Sequence, residues 1–223
     1  MLRKSALVAL FLVVAFAGMA LAAPVLDDHF TSLDTKVWRI YSNSESATVA
    51  TNESLLTIAT VDTGWKQKGI VLNAPIDLTG KTTTFIVDYK QAGFDQQCPA
   101  LFNKADIEGE DNWNYAGFRV TVGPTSANME STPPFGSESS GSIEMTSDEN
   151  GLVDLEAPYT YTWILKNTAG SVYSCDVLVG GALKWQGTVD VGSFDAKNAY
   201  FYFYVSNNTL EGPVIVDRMQ VTQ

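Results

Sequence analysis

The stretch Trp113-Asn114-Tyr115-Ala116-Gly117-Phe118-Arg119-Val120-Thr121-Val122 decides how the chain reads. Side chains of an extended backbone point alternately to the two faces of a sheet. Ala116, Phe118, Val120 and Val122 therefore share one face, and Tyr115, Gly117, Arg119 and Thr121 share the other. Clean alternation of apolar and mixed positions predicts a strand with a buried face and a second, chemically distinct face.

Outward from this stretch the same period recurs. Thr83–Lys90 sets Phe85, Val87 and Tyr89 against Thr84, Ile86 and Asp88. Strand signals also fall on Val25–Phe30, Leu33–Trp38, Ala47–Thr51, Leu55–Val61, Gly69–Leu72, Pro75–Gly80, Pro99–Lys104 and Ser142–Thr146. The last third reads as hairpins: Tyr159–Asn167 and Ser171–Val179 across Thr168-Ala169-Gly170, then Gly180-Gly181 into Ala182–Val189, then Ala199–Ser206 and Pro213–Thr222. Ala105–Asn112 is acidic and reads as a loop, and Gly123–Ser142, rich in Ser, Gly, Pro and Thr, reads as a long surface loop. No stretch shows the 3.6-residue period of an amphipathic helix. About a dozen short strands with turn signals between them predict an all-β sandwich or jelly roll.

Composition sets the compartment. Met1-Leu2-Arg3-Lys4 is followed by an apolar run from Ala6 to Ala22 with a small-residue ending. This is the pattern of a secretory signal peptide. Cleavage is expected after Ala22, because cutting after Ala23 leaves Pro24 first. The expected organisation is a signal peptide over residues 1–22 and one domain over 23–223, with no interior linker or repeat. The alternative is a membrane anchor, for which the run is short; nothing later is long and apolar enough to span a bilayer. The expected location is secreted, periplasmic or cell-surface.

Removing the two basic residues of the signal takes the formal net charge from −11 to −13. Such a chain repels nucleic-acid phosphates and anionic membrane surfaces. Carboxylates in this number suit calcium, a hard cation that takes oxygen ligands. A single histidine, His29, leaves little for zinc. The two cysteines, Cys98 and Cys175, either pair in an oxidising compartment or stand as two separate buried thiols. Tyr200-Phe201-Tyr202-Phe203-Tyr204-Val205 is aromatic or apolar on both faces. Either it is a strand covered on both sides, or its tyrosine stripe is a platform of flat amphipathic rings for ligands such as sugars.

The order of these segments resembles the concanavalin A-like lectin/glucanase jelly roll, a sandwich of two antiparallel sheets, and within it most the family 16 glycoside hydrolases. The resemblance rests on Asp28-His29-Phe30…Trp38, Asn52-Glu53-Ser54-Leu55-Leu56-Thr57-Ile58, Phe85-Ile86-Val87-Asp88-Tyr89-Lys90, Tyr161-Thr162-Trp163, Val177-Leu178-Val179-Gly180-Gly181…Trp185, and Pro213-Val214-Ile215-Val216-Asp217-Arg218-Met219-Gln220-Val221. It covers nearly all of the mature chain and is weak in identities.

That family carries Glu-x-Asp-x-(x)-Glu after a Trp on its catalytic strand. Registered on Trp113, the three acids fall on Tyr115, Gly117 and Arg119, and no acid occurs from Asn112 to Gly123. A guanidinium stays protonated and cannot act as a general acid at ordinary pH. No catalytic residue is assigned. The resemblance implies instead a non-catalytic, lectin-like binder of extracellular polysaccharide or glycan, with Lys104 and Arg119 donating hydrogen bonds and Trp113, Tyr115 and Tyr202 stacking on sugar rings. Arg119 has a structural alternative, a salt bridge to Asp88. The resemblance also implies a structural calcium site built from backbone oxygens of His29 and Ser54 and the Asp217 side chain. Two other functions stay open: a hydrolase or lyase with displaced acids, Glu144, Glu110 or Asp88, and an extracellular matrix or surface structural protein.

Overall fold

The computed structural model describes residues 24–42, 48–59, 66–92, 96–107, 117–122, 126–132, 143–146, 158–207 and 213–223. The signal segment, Trp113, Tyr115, Glu110 and most of 133–157 lie outside the described residues. Every regular element among the described residues is a strand: β1 (Leu26–Asp28), β2 (Trp38–Ser42), β3 (Thr48–Asn52), β4 (Leu55–Ala59), β5 (Lys66–Leu72), β6 (Thr82–Ala92), β7 (Gln96–Phe102), β8 (Gly117–Val122), β9 (Ser126–Thr132), β10 (Ile143–Thr146), β11 (Tyr159–Ala169), β12 (Val172–Val179), β13 (Ala182–Asp190), β14 (Tyr200–Asn207) and β15 (Val214–Thr222).

They form two sheets, and every pairing within them is antiparallel. Sheet A runs β13-β12-β11-β6-β15-β4-β3, with β1 added on β15; sheet B runs β10-β9-β8-β7-β14-β5-β2. The β8 stretch is thus an interior strand, paired with β7 on one side and β9 on the other.

Alternation places the core between the sheets. Phe85, Val87 and Tyr89 of β6, Tyr161, Trp163 and Leu165 of β11, and Tyr173, Cys175 and Val177 of β12 face inward from sheet A. Phe201, Phe203 and Val205 of β14 meet them from sheet B. Phe85 joins the two layers, its ring 5.0 Å from Phe201 and 5.3 Å from Trp163, and such aromatic contacts add to what area burial alone supplies. At one corner the Asp28 carboxylate accepts from the Phe30 backbone N–H and from Trp38 Nε1, both at 2.7 Å, which ties the end of β1 to the start of β2.

The structure revises three sequence expectations and decides a fourth that the sequence leaves open. The loop predicted over 123–142 contains β9: Ser126–Thr132 is polar enough to read as loop, but β8 and β10 on either side satisfy its backbone, and tertiary pairing overrides composition. Leu33–Val37 is a turn segment and the strand begins at Trp38. Pro75–Gly80 contributes only a bridge from Ile76 to Ala199. Cys175 is a free thiol in the core, accepting from Trp163 Nε1 at 2.9 Å, and not half of a disulfide; burial pushes its pKa up to about 12, which makes it inert.

Candidate binding face

The outer face of sheet B, turned away from the core, is where β8 directs its second row. Cross-strand register places Gly117 opposite Phe102 and Arg119 opposite Ala100. Ala100 in turn lies opposite Tyr202, and Tyr202 opposite Val71. Tyr41, Val71, Ala100, Phe102, Ile107, Tyr202 and Tyr204 form a second buried cluster on this side. Tyr41 packs edge-on against both Tyr202 and Tyr204 at 5.5 Å, and Phe102 packs edge-on against Tyr202 at 5.3 Å.

Two glycines permit this packing. A Cβ on Gly69 would lie 2.0 Å from the Phe203 carbonyl oxygen and 2.5 Å from Tyr204 Cα; one on Gly117 would lie 2.2 Å from the Leu101 oxygen and 2.4 Å from Phe102 Cδ1. The Phe102 ring thus lies over backbone at Gly117 that carries no side chain, and Gly69 lets β5 pass close to the Tyr204 backbone.

Polar groups are set into the aromatic layer. Arg119 is 7% exposed and donates from Nη1 to the Tyr204 hydroxyl at 3.0 Å. The Tyr41 hydroxyl bonds the buried Gln67 side-chain oxygen. The Tyr202 hydroxyl donates to the Lys104 carbonyl at 2.5 Å and accepts from the Ile107 N–H at 3.4 Å. Asn103 donates to the carbonyls of Asp195 and Asn198 and accepts from the Asp195 N–H at 2.7 Å. Asn103 and Tyr202 together staple the segment 103–107 across the face.

Between that segment and β2 lies a cavity of about 220 Å³, lined by Arg39, Ile40, Tyr41, Ser42, Val71, Ala105, Asp106 and Ile107. Arg39 and Asp106 are exposed, and Lys104 Nζ stands 3.8 Å from the Asp106 carboxylate at the rim. Burial raises the pKa of the Tyr202 phenol well above its ordinary value; Arg39 pulls it down and Asp106 pushes it up, so both charges act on this one buried phenol.

The structure thus gathers Lys104, Arg119 and Tyr202 on one face. Tyr202 and Tyr204 are covered on both sides, so they serve as floor and anchor and do not offer a stacking platform with available hydroxyls. The Arg119–Asp88 pair does not form: Asp88 lies on β6 of sheet A, accepting from the Thr160 hydroxyl at 2.6 Å. Arg39, Tyr41 and Asp106 were not singled out by sequence reasoning. Arg39 and Tyr41 sit two apart on a strand whose sequence signal starts too early, at Leu33, and Asp106 lies in a stretch that reads only as an acidic loop.

The three expected metal positions lie elsewhere, near the junction of β1, β4 and β15. Val216 pairs with Leu56 and Met219 with Asp28, so Asp217 sits where β15 passes from β4, which follows Ser54, to β1, which precedes His29. A donor set of backbone oxygens and one carboxylate, oxygen throughout, fits a hard cation. The Asp217 carboxylate meanwhile faces Lys90 Nζ at 3.2 Å, and no three His, Cys, Asp or Glu side chains among the described residues gather as metal ligands. Glu53 and Ser54 hold the turn before β4 at φ of 52° and 61°, a conformation two glycines or Asn-Gly would adopt with less strain.

The sequence matches no protein-family profile and no curated protein. Solved structures match through the fold. The carbohydrate recognition domain of Emp46p aligns at 10% identity over 87% of this chain and 94% of its own, with a TM-score of 0.61. The exoplasmic/lumenal domain of VIP36, in a form with Ca2+ and Man3GlcNAc bound, aligns at 12% identity over 84% and 83%, TM-score 0.58. A structure of an endo-acting O-glycanase from the human gut microbiota aligns at 14% identity over 90% and 99%, TM-score 0.60. The chain has the concanavalin A-like β-sandwich fold that such lectin domains share. At these identities the likeness concerns the fold, and the site must be argued from this chain's own residues.

Proposed function

We propose that this is a secreted carbohydrate-binding protein of lectin type, with residues 23–223 as its one domain after removal of 1–22, and that it takes extracellular glycan on the outer face of sheet B. The observation that carries the reading is the polar-rimmed cavity beside the buried aromatic cluster on that face, with Tyr41 common to both, since concave sites with a few convergent polar groups are the default ligand sites of a fold. The likeness of the fold to carbohydrate recognition domains supports it. In this reading Lys104 donates at the rim, Trp113 and Tyr115 supply stacking rings, and Arg119 and Tyr202 hold the floor in register.

The same reading makes the protein non-catalytic. The resemblance to family 16 hydrolases puts carboxylates at positions where β8 has Gly117 and Arg119. Arg119 cannot exchange its proton at ordinary pH, and position 117 has no room for a side chain. A second reading has one observation in its favour. Register sets Glu130 opposite Arg119 and Glu144 opposite Asn128. Glu130 and Glu144 are thus diagonal neighbours on adjacent strands, and glycoside hydrolysis needs two carboxyl groups.

A glycan array with the mature protein, run beside reducing-end release on the same glycans, separates the readings. Binding without turnover is expected. Turnover abolished in Glu130→Gln or Glu144→Gln would replace the lectin with a hydrolase. Neither binding nor turnover leaves a matrix or surface structural protein.

The proposal includes a structural calcium ion held by the His29 and Ser54 backbone oxygens and Asp217. It must displace the Lys90 ammonium, and an exposed pair of this kind is worth about 0–1 kcal/mol. Calcium at 100 times its Kd adds about 2.7 kcal/mol of stability, which raises Tm by about 5–10 °C for a chain of this size. Thermal denaturation with calcium and with chelator tests this; identical curves remove the metal from the reading.

A further inference from the structure

We infer that the cavity between β2 and segment 103–107 is a subsite for a single neutral hexopyranose ring, with Arg39 and Asp106 as its specificity-determining side chains. The inference rests on the carbohydrate reading above and goes beyond it by naming the pocket, the residues and the ligand class.

Size limits the occupant. At about 220 Å³ the cavity falls below the roughly 300–1,000 Å³ of sites that enclose drug-sized ligands, so it holds one ring and not a chain. Charge narrows it further. The chain is strongly acidic, yet this cavity is lined by one guanidinium, on the strand wall, and one carboxylate, on the loop wall, with the Lys104 ammonium 3.8 Å from that carboxylate at the rim. Opposed unit charges favour a ligand that donates on one side and accepts on the other. Vicinal hydroxyls do both: they donate to the acceptor-only Asp106 carboxylate and accept from the donor-only Arg39 guanidinium, and the Ser42 hydroxyl serves either role. Hydrogen bonds with one ionised partner are the stronger kind. Tyr41, Val71 and Ile107 supply the apolar part of the lining for the C–H face of the ring.

The wall is built in advance of any ligand. Tyr202 and Asn103 hold segment 103–107 with hydrogen bonds at both its ends, and a preformed site avoids the entropic cost of ordering a loop on binding. Arg39 and Asp106 are exposed, so they are free to be replaced without loss of the fold.

The test is a two-dimensional amide NMR titration of the mature protein with the methyl glycosides of glucose, galactose, mannose and glucuronic acid, together with the glycan array. At least one neutral glycoside is expected to shift the amides of Arg39, Ser42 and Asp106. Arg39→Ala and Asp106→Asn are each expected to weaken it tenfold or more at unchanged Tm, and Lys90→Ala, on the other outer face, to bind as wild type. Glycan binding with shifts elsewhere, or unweakened in both variants, overturns the subsite and leaves the lectin reading standing. Preference for the glucuronide with no effect of Asp106→Asn overturns the neutral class. If no saccharide shifts any amide and the array is blank, the subsite and the lectin reading fall together.

Discussion

The two outer faces of the sandwich are built by the same alternation and end in different environments. On sheet A the outward row of β6 and β11 is Thr84, Ile86, Asp88 and Thr160, Thr162, Ile164, all half-exposed, and its polar contacts are surface pairs such as Lys90–Asp217 and Arg218–Asp27. On sheet B the outward row of β14 is a second core, Tyr202 and Tyr204 buried on Val71, Ala100 and Gly69. Each face carries a small cavity, about 240 Å³ around Asp88, Tyr159 and Asp217 on sheet A and about 220 Å³ on sheet B. The difference lies in what supports them. A site whose walls are locked by packing and buried hydrogen bonds holds its geometry. Sheet B has the aromatic layer, the buried Arg119 and the stapled loop, and that is why the proposed glycan site is placed there.

The contrast can be broken first at Gly69. Gly69→Ala drives a methyl into the Phe203 carbonyl and the Tyr204 backbone, and overpacking of this kind costs about 1–3 kcal/mol or more. A Tm loss of about 10 °C is expected, against a change within about 0.5 kcal/mol for Thr162→Ala on sheet A. Equal losses in the two variants would erase the distinction between the faces.

Next is the staple. Tyr202→Phe removes the hydroxyl that bonds Lys104 and Ile107, leaving buried groups unpaired at about 1–3 kcal/mol. Proteolytic nicking within 103–107 is expected to rise along with that loss, because the segment loses its anchor to the sheet. Nicking at the wild-type rate would show that Asn103 alone holds it.

On sheet A the Asp27–Arg218 pair should matter less and should depend on pH. Arg218 donates to Asp27 at 2.7 and 3.1 Å, and this hydrogen-bonded contact holds the Asp27 pKa below its ordinary value. Its stabilisation is therefore complete above the unfolded pKa of about 3.9 and is lost as pH falls through the lower folded value. Arg218→Gln should lower the urea midpoint by less than about 1 kcal/mol equivalent at pH 7, and the gap should close in strong acid. A gap that widens on acidification would contradict this assignment.

The smallest effect is expected at the β3–β4 turn. Ser54→Gly relieves a positive φ and should raise stability by a few tenths of a kcal/mol, offset by the greater freedom of glycine in the unfolded chain. Loss of stability would mean that the Ser54 side chain, and not only its backbone, holds the turn.

Much of this was legible beforehand, and particular residues show why. Phe85, Val87 and Tyr89 alternate with polar neighbours, and alternation reports a half-buried strand directly. The hairpin from Ser171 through Gly180-Gly181 announced itself through turn glycines, both at positive φ in the structure. β9 is not legible because its Ser, Thr and Asn look like loop when the strands on either side are unknown. Of the candidate site, Lys104, Arg119 and Tyr202 were named, since a charged residue or a tyrosine row on an alternating strand is visible in the sequence. Arg39 and Asp106 were not, because they are distant in sequence and meet only when β2 and segment 103–107 flank the same opening.

The order of residues already specifies an all-β sandwich with an aromatic core and no carboxylate from Asn112 to Gly123. These are consequences of period and composition, which act locally. Strand pairing settles that the tyrosines of β14 are covered on both sides, that Cys175 is free, and that the opening lies at Arg39. Each of these depends on which strand lies beside which. Pairing joins residues far apart in the chain, and it is selected by burial over the whole domain.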